Sequence, residues 1–114
     1  MRTLNLAKNV ATTADVESTA IDLNTKLIPF VPGNSAVLAL VLDGSDDQVL
    51  TLEGADDAAF TLNVTAYFVE TIGAAAAVSK TVFANVTPTK QFIRIKSVEG
   101  TTALGAFSAD LLQN

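Results

Sequence analysis

The alternation of apolar and polar residues from Ala59 to Glu70 is the feature that most restricts the fold. In the stretch AFTLNVTAYFVE every second side chain from Phe60 to Phe68 is apolar, so the residues form two sets on opposite faces of an extended chain. An α-helix would scatter these apolar side chains, because positions two apart lie about 200° apart around its axis. We therefore predict a β-strand over 59–70 with a core face made of Phe60, Leu62, Val64, Ala66 and Phe68.

Other segments of the same kind recur along the chain, separated by turn-forming residues. Residues 35–43 (SAVLALVLD) are apolar on both faces, which is typical of a central strand covered on both sides. Residues 91–98 (QFIRIKSV) place Ile93 and Ile95 opposite two basic residues and predict a half-buried strand that shares a core with the 59–70 strand. Less regular strands are predicted over 19–26, 48–53, 80–87 and 103–112, with turns at 44–47, 54–57 and 99–102.

The number and spacing of these segments predict an all-β domain. About seven or eight short strands, with a turn signal roughly every 8–12 residues, fit an antiparallel β-sandwich. Its topology is jelly-roll or immunoglobulin-like, and the pattern does not choose between the two. Residues 1–18 are predicted to form an extended N-terminal arm or an edge strand, and residues 19–114 the sandwich. Prolines at 29 and 32 exclude that segment from the middle of a sheet.

The composition indicates a protein that works in an assembly. Hydrophobic residues make up 49% of the 114 residues, and charged residues only 17%, whereas an average soluble domain has about 25% charged residues. So small a domain cannot bury all of this apolar side chain in its own interior. Some of it is expected to face another protein.

The residues that are missing restrict the chemistry. The chain has no His and no Cys, so it lacks the commonest general base and the thiol nucleophile. We therefore predict that it is not an enzyme and uses no cofactor. A net charge of −5 argues against nucleic acid as a partner, since phosphate binding needs clustered cations.

Membrane insertion and secretion are not expected either. The longest wholly apolar run, 36–42, is far shorter than the roughly 20 residues of a spanning helix. The N-terminal residues lack the apolar core of a signal peptide, so synthesis in a cytoplasm is expected.

Acidic residues concentrate in two predicted turns. Asp43, Ser45 and Asp47 have the every-second-residue oxygen spacing of calcium loops, but the later bidentate Glu of such a loop is missing. Aspartate is common in turns because it hydrogen-bonds its own backbone, and we predict no metal. The intervening strand should place the Asp46–Asp47 and Asp56–Asp57 turns at opposite ends of the sandwich.

Charge is divided unevenly along the chain. Seven acids and no bases lie between residues 43 and 79, whereas four bases and no acids lie between 80 and 96. The two groups either pair within one chain or form a self-complementary surface that sets the register between copies. In the second case strand 91–98 is the register-setting surface. The candidate interface residues are Arg94, Lys96, Lys90, Asp46, Asp47, Asp56 and Asp57.

The chain resembles the small β-sandwich decoration (cement) proteins of tailed bacteriophage heads. The resemblance covers its whole length: a short acidic chain, a Thr/Asn/Val-rich arm over 1–16, a Thr- and Ala-rich sandwich, and no His or Cys. It implies a homo-oligomer, often a trimer, that binds the major capsid protein lattice on the outer surface of the virion. The residues also leave open a phage tail or fibre module. A cellular adhesin or carbohydrate-binding module remains too, although the lack of Trp and the single Tyr disfavour it.

Overall fold

The protein is built from antiparallel β-strands. The computed structural model describes residues 2–11, 15–24, 33–73 and 77–113, and within these ranges it contains no helix. Every strand pair is antiparallel, which confirms the predicted fold class. The seven strands of the described ranges are β1 (Arg2–Ala11), β2 (Val16–Glu17), β3 (Ile21–Asp22), β4 (Ala36–Ala55), β5 (Thr65–Ile72), β6 (Val78–Val86) and β7 (Phe92–Gln113).

Two long strands form the centre of the fold. β4 has 20 residues and β7 has 22, whereas an average strand has about 5–6. They pair from Val37 opposite Leu112 to Ala55 opposite Phe92, with register shifts between Asp43 and Gln48. The ladder between β4 and β7 therefore has two parts, one on either side of this interruption.

The other strands lie along the two outer edges of this pair. β1 pairs with residues 106–113 of β7, and β2 and β3 pair with residues 92–97. On the opposite side, β6 pairs with residues 36–45 of β4 and β5 with residues 48–54. What we call the first half-sheet thus has the order β1, β7 (106–113), β4 (36–43) and β6. The second half-sheet has the order β2 with β3, β7 (92–99), β4 (48–55) and β5.

This arrangement selects one of the two predicted topologies. For this comparison the strands are numbered 1 to 8 along the chain, with β2 and β3 together as strand 2, the halves of β4 as 3 and 4, and the halves of β7 as 7 and 8. The first half-sheet then has the order 1-8-3-6 and the second 2-7-4-5. That is the strand order of a jelly roll, and it differs from the immunoglobulin arrangement.

The inner faces of the two half-sheets share one hydrophobic core. Alternate residues of β4 and β7 are buried, as expected for strands with one face toward a core. Leu38 and Leu40 belong to the first half-sheet and Ile93 and Ile95 to the second, and all four lie in the same core cluster. The strands predicted over 35–43 and 91–98 are therefore confirmed. The other buried residues of the cluster are Leu6, Ala7, Leu23, Ala36, Leu42, Leu50, Leu52, Ile72, Val86, Phe107, Ala109 and Leu111.

The predictions of chain-reversing turns at 44–47 and 99–102 are wrong, because β4 and β7 continue through them. Gly44 and Asp47 have positive φ angles of 61° and 49°, which bend the strand without reversing it. A Cβ on Gly105 would collide with the carbonyl of Gly44, so the two long strands touch backbone to backbone here. The Ser45 hydroxyl donates a hydrogen bond to the Ala106 carbonyl at 2.8 Å. The turn residues thus produce the bend that folds one half-sheet onto the other.

The prediction of a strand over 59–70 is correct only for its second part. β5 begins at Thr65, and Phe60 and Asn63 have φ angles of 55° and 50°, which interrupt the extended chain. Leu62 is 57% exposed and Val64 46%, so these two do not belong to a core with Ile93 and Ile95. Phe68 packs against the core cluster. Phe60 is buried, but outside that cluster.

Within residues 1–18, β1 is an edge strand that contributes to the core. Leu6 and Ala7 are buried, although the ladder with β7 is interrupted by two register shifts. From the strand predicted over 19–26, only Ile21–Asp22 forms a strand, and residues 25–26 lie outside the described ranges. The prolines at 29 and 32 and the alanines at 74–76 also lie outside them.

Candidate interaction surface

Arg94, one of the predicted interface residues, is held by groups of its own chain. Its Nε donates to Glu53 Oε1 at 2.6 Å, and its Nη2 lies 2.6 Å from Glu17 Oε2. The guanidinium also lies over the Phe60 ring. The Arg94 side chain is only 18% exposed, and that of Glu53 10%. The internal pairing considered for this charge is therefore the arrangement that the structure shows.

Lys90, Asp56 and Asp57 hold the loop formed by residues 56–64. Lys90 Nζ lies 3.4 Å from Asp56 Oδ1, and Asp56 Oδ2 accepts from Asn63 Nδ2 at 2.7 Å. The Asp57 carboxylate accepts from the Thr61 hydroxyl and from the backbone N–H groups of Thr61 and Leu62. These hydrogen bonds fix a loop that projects from the end of the second half-sheet.

The same contacts lower the pKa values of both carboxyl groups. The hydrogen bond from Asn63 is the largest cause for Asp56, with a smaller contribution from Lys90. For Asp57 the largest cause is the Thr61 hydroxyl, followed by the Leu62 N–H. Each donor favours the charged form of the carboxylate, which is why each pKa falls below its ordinary value.

Asp46 and Asp47 lie at the bend, at the other end of β4 residues 48–55 from Asp56, as the sequence predicts. Asp46 is buried. The Asp47 carboxylate lies so close to Gly100 that a Cβ on that residue would collide with it, and the Asp47 N–H donates to the Gly73 carbonyl at 3.3 Å. Both residues are thus integrated into the bend.

The candidate calcium ligands do not converge. The Ser45 side chain is buried and donates to the Ala106 carbonyl, whereas Asp43 is exposed. Among the residues that the structure describes, no group of three or more His, Cys, Asp or Glu side chains is placed to hold a metal ion. The every-second-residue spacing therefore reflects the bend of β4.

Lys96 is partly exposed in the middle of the second half-sheet. It lies on the outer face of the second half-sheet, opposite Glu17 in one neighbouring strand and Thr51 in the other. None of the ion pairs found among the described residues includes it. The seven predicted interface residues therefore do not form one surface. Four lie around one end of the second half-sheet, Lys96 lies in its middle, and two lie at the bend.

The outer faces of the two half-sheets differ in charge. That of the second half-sheet carries Glu17, Glu53, Arg94 and Lys96. In the first half-sheet, the rows through Val37, Ala39 and Val41 contain one charged residue, Asp110, which accepts a hydrogen bond from Asn5 Nδ2 at 2.8 Å. The members of these rows on β4, β6 and β7 are Val37, Ala39, Val41, Thr81, Phe83, Asn85, Ser108, Asp110 and Leu112.

Large apolar side chains are exposed on this outer face of the first half-sheet. Phe83 is 67% exposed and Val41 42%. The segment 35–43 has the pattern of a strand covered on both faces, yet among the described residues only its Leu38–Leu40–Leu42 face is buried. The apolar character of both faces of 35–43 thus indicated this surface, although the charge pattern led us to predict an interface on the other half-sheet.

The described part of the structure has a shallow depression that could be considered as a ligand site. This open depression of about 280 Å³ is lined by Ser35, Ala36, Val37, Asn85 and Leu112, at the end of the same outer face. The single tyrosine, Tyr67, is half-buried: its ring lies against Gly54, and its hydroxyl accepts from the Thr89 and Lys90 N–H groups at 3.1 and 2.9 Å. It is therefore occupied inside the fold and is not displayed as a flat platform for a sugar.

Comparisons with known proteins add no assignment. No protein-family model matches the chain, and no curated protein matches it. Within the described ranges, no helix is both long enough and apolar enough to cross a membrane. A functional proposal therefore rests on the fold and on the surface of the first half-sheet.

Proposed function

We propose that the protein is a non-enzymatic structural protein of a virus particle, which binds the outer surface of a capsid lattice as a homo-oligomer. The observation that carries this proposal is the uncovered outer face of the first half-sheet. Val41 and Phe83 are exposed on this face. The rows through Val37, Ala39 and Val41 on β4, β6 and β7 carry one charged residue, Asp110, and Asp43 is the next outward-facing residue of β4. Depletion of charge and exposure of aromatic side chains are typical of the centre of a protein interface.

The size of this face supports binding by several copies together. Four strands about 4.8 Å apart and seven residues at about 3.3 Å each give a footprint of roughly 19 Å by 23 Å. A contact of this size is at the small end of specific interfaces. Attachment of several linked copies to one lattice would raise the overall affinity without new contacts.

The jelly-roll fold is compatible with this proposal but does not carry it. Jelly rolls occur in capsid proteins and in lectins, and one fold hosts many functions. The bend and the shared hydrophobic core keep the two half-sheets together, so the outer face is presented on a fixed frame.

Co-sedimentation with assembled capsids that lack the protein tests the proposal. Val41→Asp replaces an exposed apolar side chain of the proposed face by a charge and should abolish co-sedimentation. Val69→Asp is the matched control, because Val69 is 50% exposed on the outer face of the second half-sheet. Equal binding of both variants would overturn the proposed face. If the protein does not bind capsids but is retained on a glycan array, the proposal fails in favour of a carbohydrate-binding module. Retention on purified tails alone would favour a tail or fibre module.

A further inference from the structure

The two edges of the first half-sheet are protected to different degrees. β1 forms one edge, and its ladder with β7 contains register shifts between Asn5 and Ala7 and between Ala7 and Val10. Asn9 has a φ angle of 48°, and Lys8 is exposed beside it. Bulges and charged residues prevent an edge strand from pairing with another chain. The β1 edge is therefore obstructed.

The β6 edge lacks these protections over most of its length. Its pairing with β4 runs from Val86 opposite Ala36 to Lys80 opposite Leu42 without a register shift. Residues 81–86 (TVFANV) contain no charge, no Pro and no Gly. Among the described strands, β6 pairs only with β4, and Thr81, Phe83 and Asn85 are exposed. A regular, uncharged edge of this kind is a template for an additional strand.

We propose that two copies of this chain pair through their β6 edges, antiparallel, so that two first half-sheets continue into one eight-stranded sheet. Pairing of β6 with the β1 edge of another copy would be head-to-tail and would build a ring or a fibre, but the bulges of β1 obstruct it. Contact between two like edges is isologous and closes after two copies. The difference between the two edges thus favours a dimer and disfavours a fibre.

The sequence of β6 also indicates the register. In an antiparallel pair related by a two-fold axis, a residue before the axis faces the residue equally far after it in the other copy. The unbroken stretch 80–86 is centred on Phe83, so we place the axis there. Phe83 then faces Phe83 of the second copy, Thr81 faces Asn85, and Lys80 faces Val86. The two copies of Lys80 lie six residues apart along the strand, or about 20 Å. This exceeds the screening length of about 8 Å at physiological salt, so their repulsion is weak.

The mass of the full chain in solution, measured over a range of concentrations without capsids, tests the dimer independently of the proposed function. Thr81→Lys combined with Asn85→Lys places lysine opposite lysine twice. We expect this to raise the dimer dissociation constant more than about tenfold. Thr81→Lys combined with Asn85→Glu places lysine opposite glutamate twice, and should dimerise at least as well as the unchanged protein.

A control variant distinguishes a specific effect at β6 from a general effect of added charge. Thr71→Lys introduces the same charge at an exposed position of β5 and should leave dimerisation unchanged. If the double-lysine variant does not fold, Phe83→Lys makes the equivalent test with one substitution. An unchanged protein that is monomeric or trimeric at every concentration would overturn the proposal. Equal dimerisation of the lysine–lysine and lysine–glutamate variants would overturn it as well.

Discussion

The guanidinium of Arg94 lies 4.1 Å from the centroid of the Phe60 ring. Arg94 belongs to β7, and Phe60 belongs to the loop after β4. The carboxylates that pair with Arg94 are those of Glu17 in β2 and Glu53 in β4. One side chain thus joins four segments at the end of the second half-sheet. This explains why a loop residue is buried, and why the charge of Arg94 is used inside the chain.

The loop residues Phe60 and Leu62 should respond very differently to truncation. Phe60→Ala removes a buried ring and should lower the free energy of unfolding by about 3 kcal/mol, the lower end for buried phenylalanines. Leu62→Ala removes a side chain that is 57% exposed and should change it by less than about 0.5 kcal/mol. Urea denaturation measures both. Equal losses would show that the two residues share one core face after all.

Removal of Arg94 should be costly because it leaves Glu53 unpaired. Arg94→Met is expected to lower the free energy of unfolding by about 3 kcal/mol, since breaking a buried pair leaves an uncompensated charge. Adding Glu53→Gln should restore part of this loss. Lys96→Met, on the same strand, should change stability by less than about 0.5 kcal/mol. A double mutant no more stable than Arg94→Met would contradict the assigned role of Glu53.

Comparing alanine substitutions at two glycines distinguishes the cost of backbone strain from the cost of a steric collision. Gly33 and Gly105 have φ angles of 90° and 86°, so alanine should cost about 1–2 kcal/mol at either position. A Cβ at Gly33 meets no atom of the described residues within 4 Å, whereas one at Gly105 collides with the Gly44 carbonyl. Gly105→Ala should therefore lower stability by about 1–3 kcal/mol more than Gly33→Ala. Similar melting temperatures for the two variants would show that the bend is looser than described.

Acidification should weaken the 56–64 loop through Asp57. The pKa of Asp57 lies below its ordinary value of 3.8 because the Thr61 hydroxyl and the backbone N–H groups favour the carboxylate. Its stabilising contribution is therefore present above pH 3.8 and is lost as the pH falls through the lower pKa of the folded protein. Urea denaturation between about pH 2 and 5 should show less loss on acidification for Asp57→Asn than for the unchanged protein. Asp43→Asn serves as the control, and an unchanged slope in Asp57→Asn would argue against the described hydrogen bonds.

Two buried glutamines form a matched pair. Gln48 is 2% exposed, and neither polar atom of its side chain has a hydrogen-bond partner among the described residues. Gln113 is 3% exposed, but its Nε2 donates to the Asn34 carbonyl at 3.5 Å. Gln48→Met should raise the free energy of unfolding by about 1–3 kcal/mol, whereas Gln113→Met should lower it by about 1 kcal/mol. A loss of stability in Gln48→Met would mean that its amide is hydrogen-bonded in solution.

The alternation of apolar and polar residues predicted the strands correctly where the burial of one apolar face determines the backbone conformation. Ile93 and Ile95 in β7, and Leu38 and Leu40 in β4, are buried on one face as their spacing predicts. The same pattern misled us at Leu62, because Asp57 captures the backbone N–H groups of Thr61 and Leu62. Side chains of this kind compete locally with strand pairing, and an apolar–polar alternation does not record that competition.

The bend and the charges depend on contacts distant in sequence. Gly44 and Asp47 are suitable for a reversing turn or for a bulge, and the outcome is decided by β7, which lies alongside and continues the ladder. The partners of Arg94, Glu17 and Glu53, lie 77 and 41 residues away. Composition could indicate an acidic and a basic segment, but it could not tell whether they meet within one chain.

The position of β7 has a consequence for the order of events during synthesis. In both half-sheets β7 lies between the N-terminal strands and β4, and it is the only described strand with which β1, β2 and β3 pair. As the ribosome makes the chain from its N-terminus, Leu6 and its neighbours can be covered only once residues 92–113 have emerged. Until then β4 can pair with β5 and β6 alone, and one of its edges remains open. Until these residues emerge, the nascent protein therefore exposes apolar strands without their partners, and chaperones can bind them.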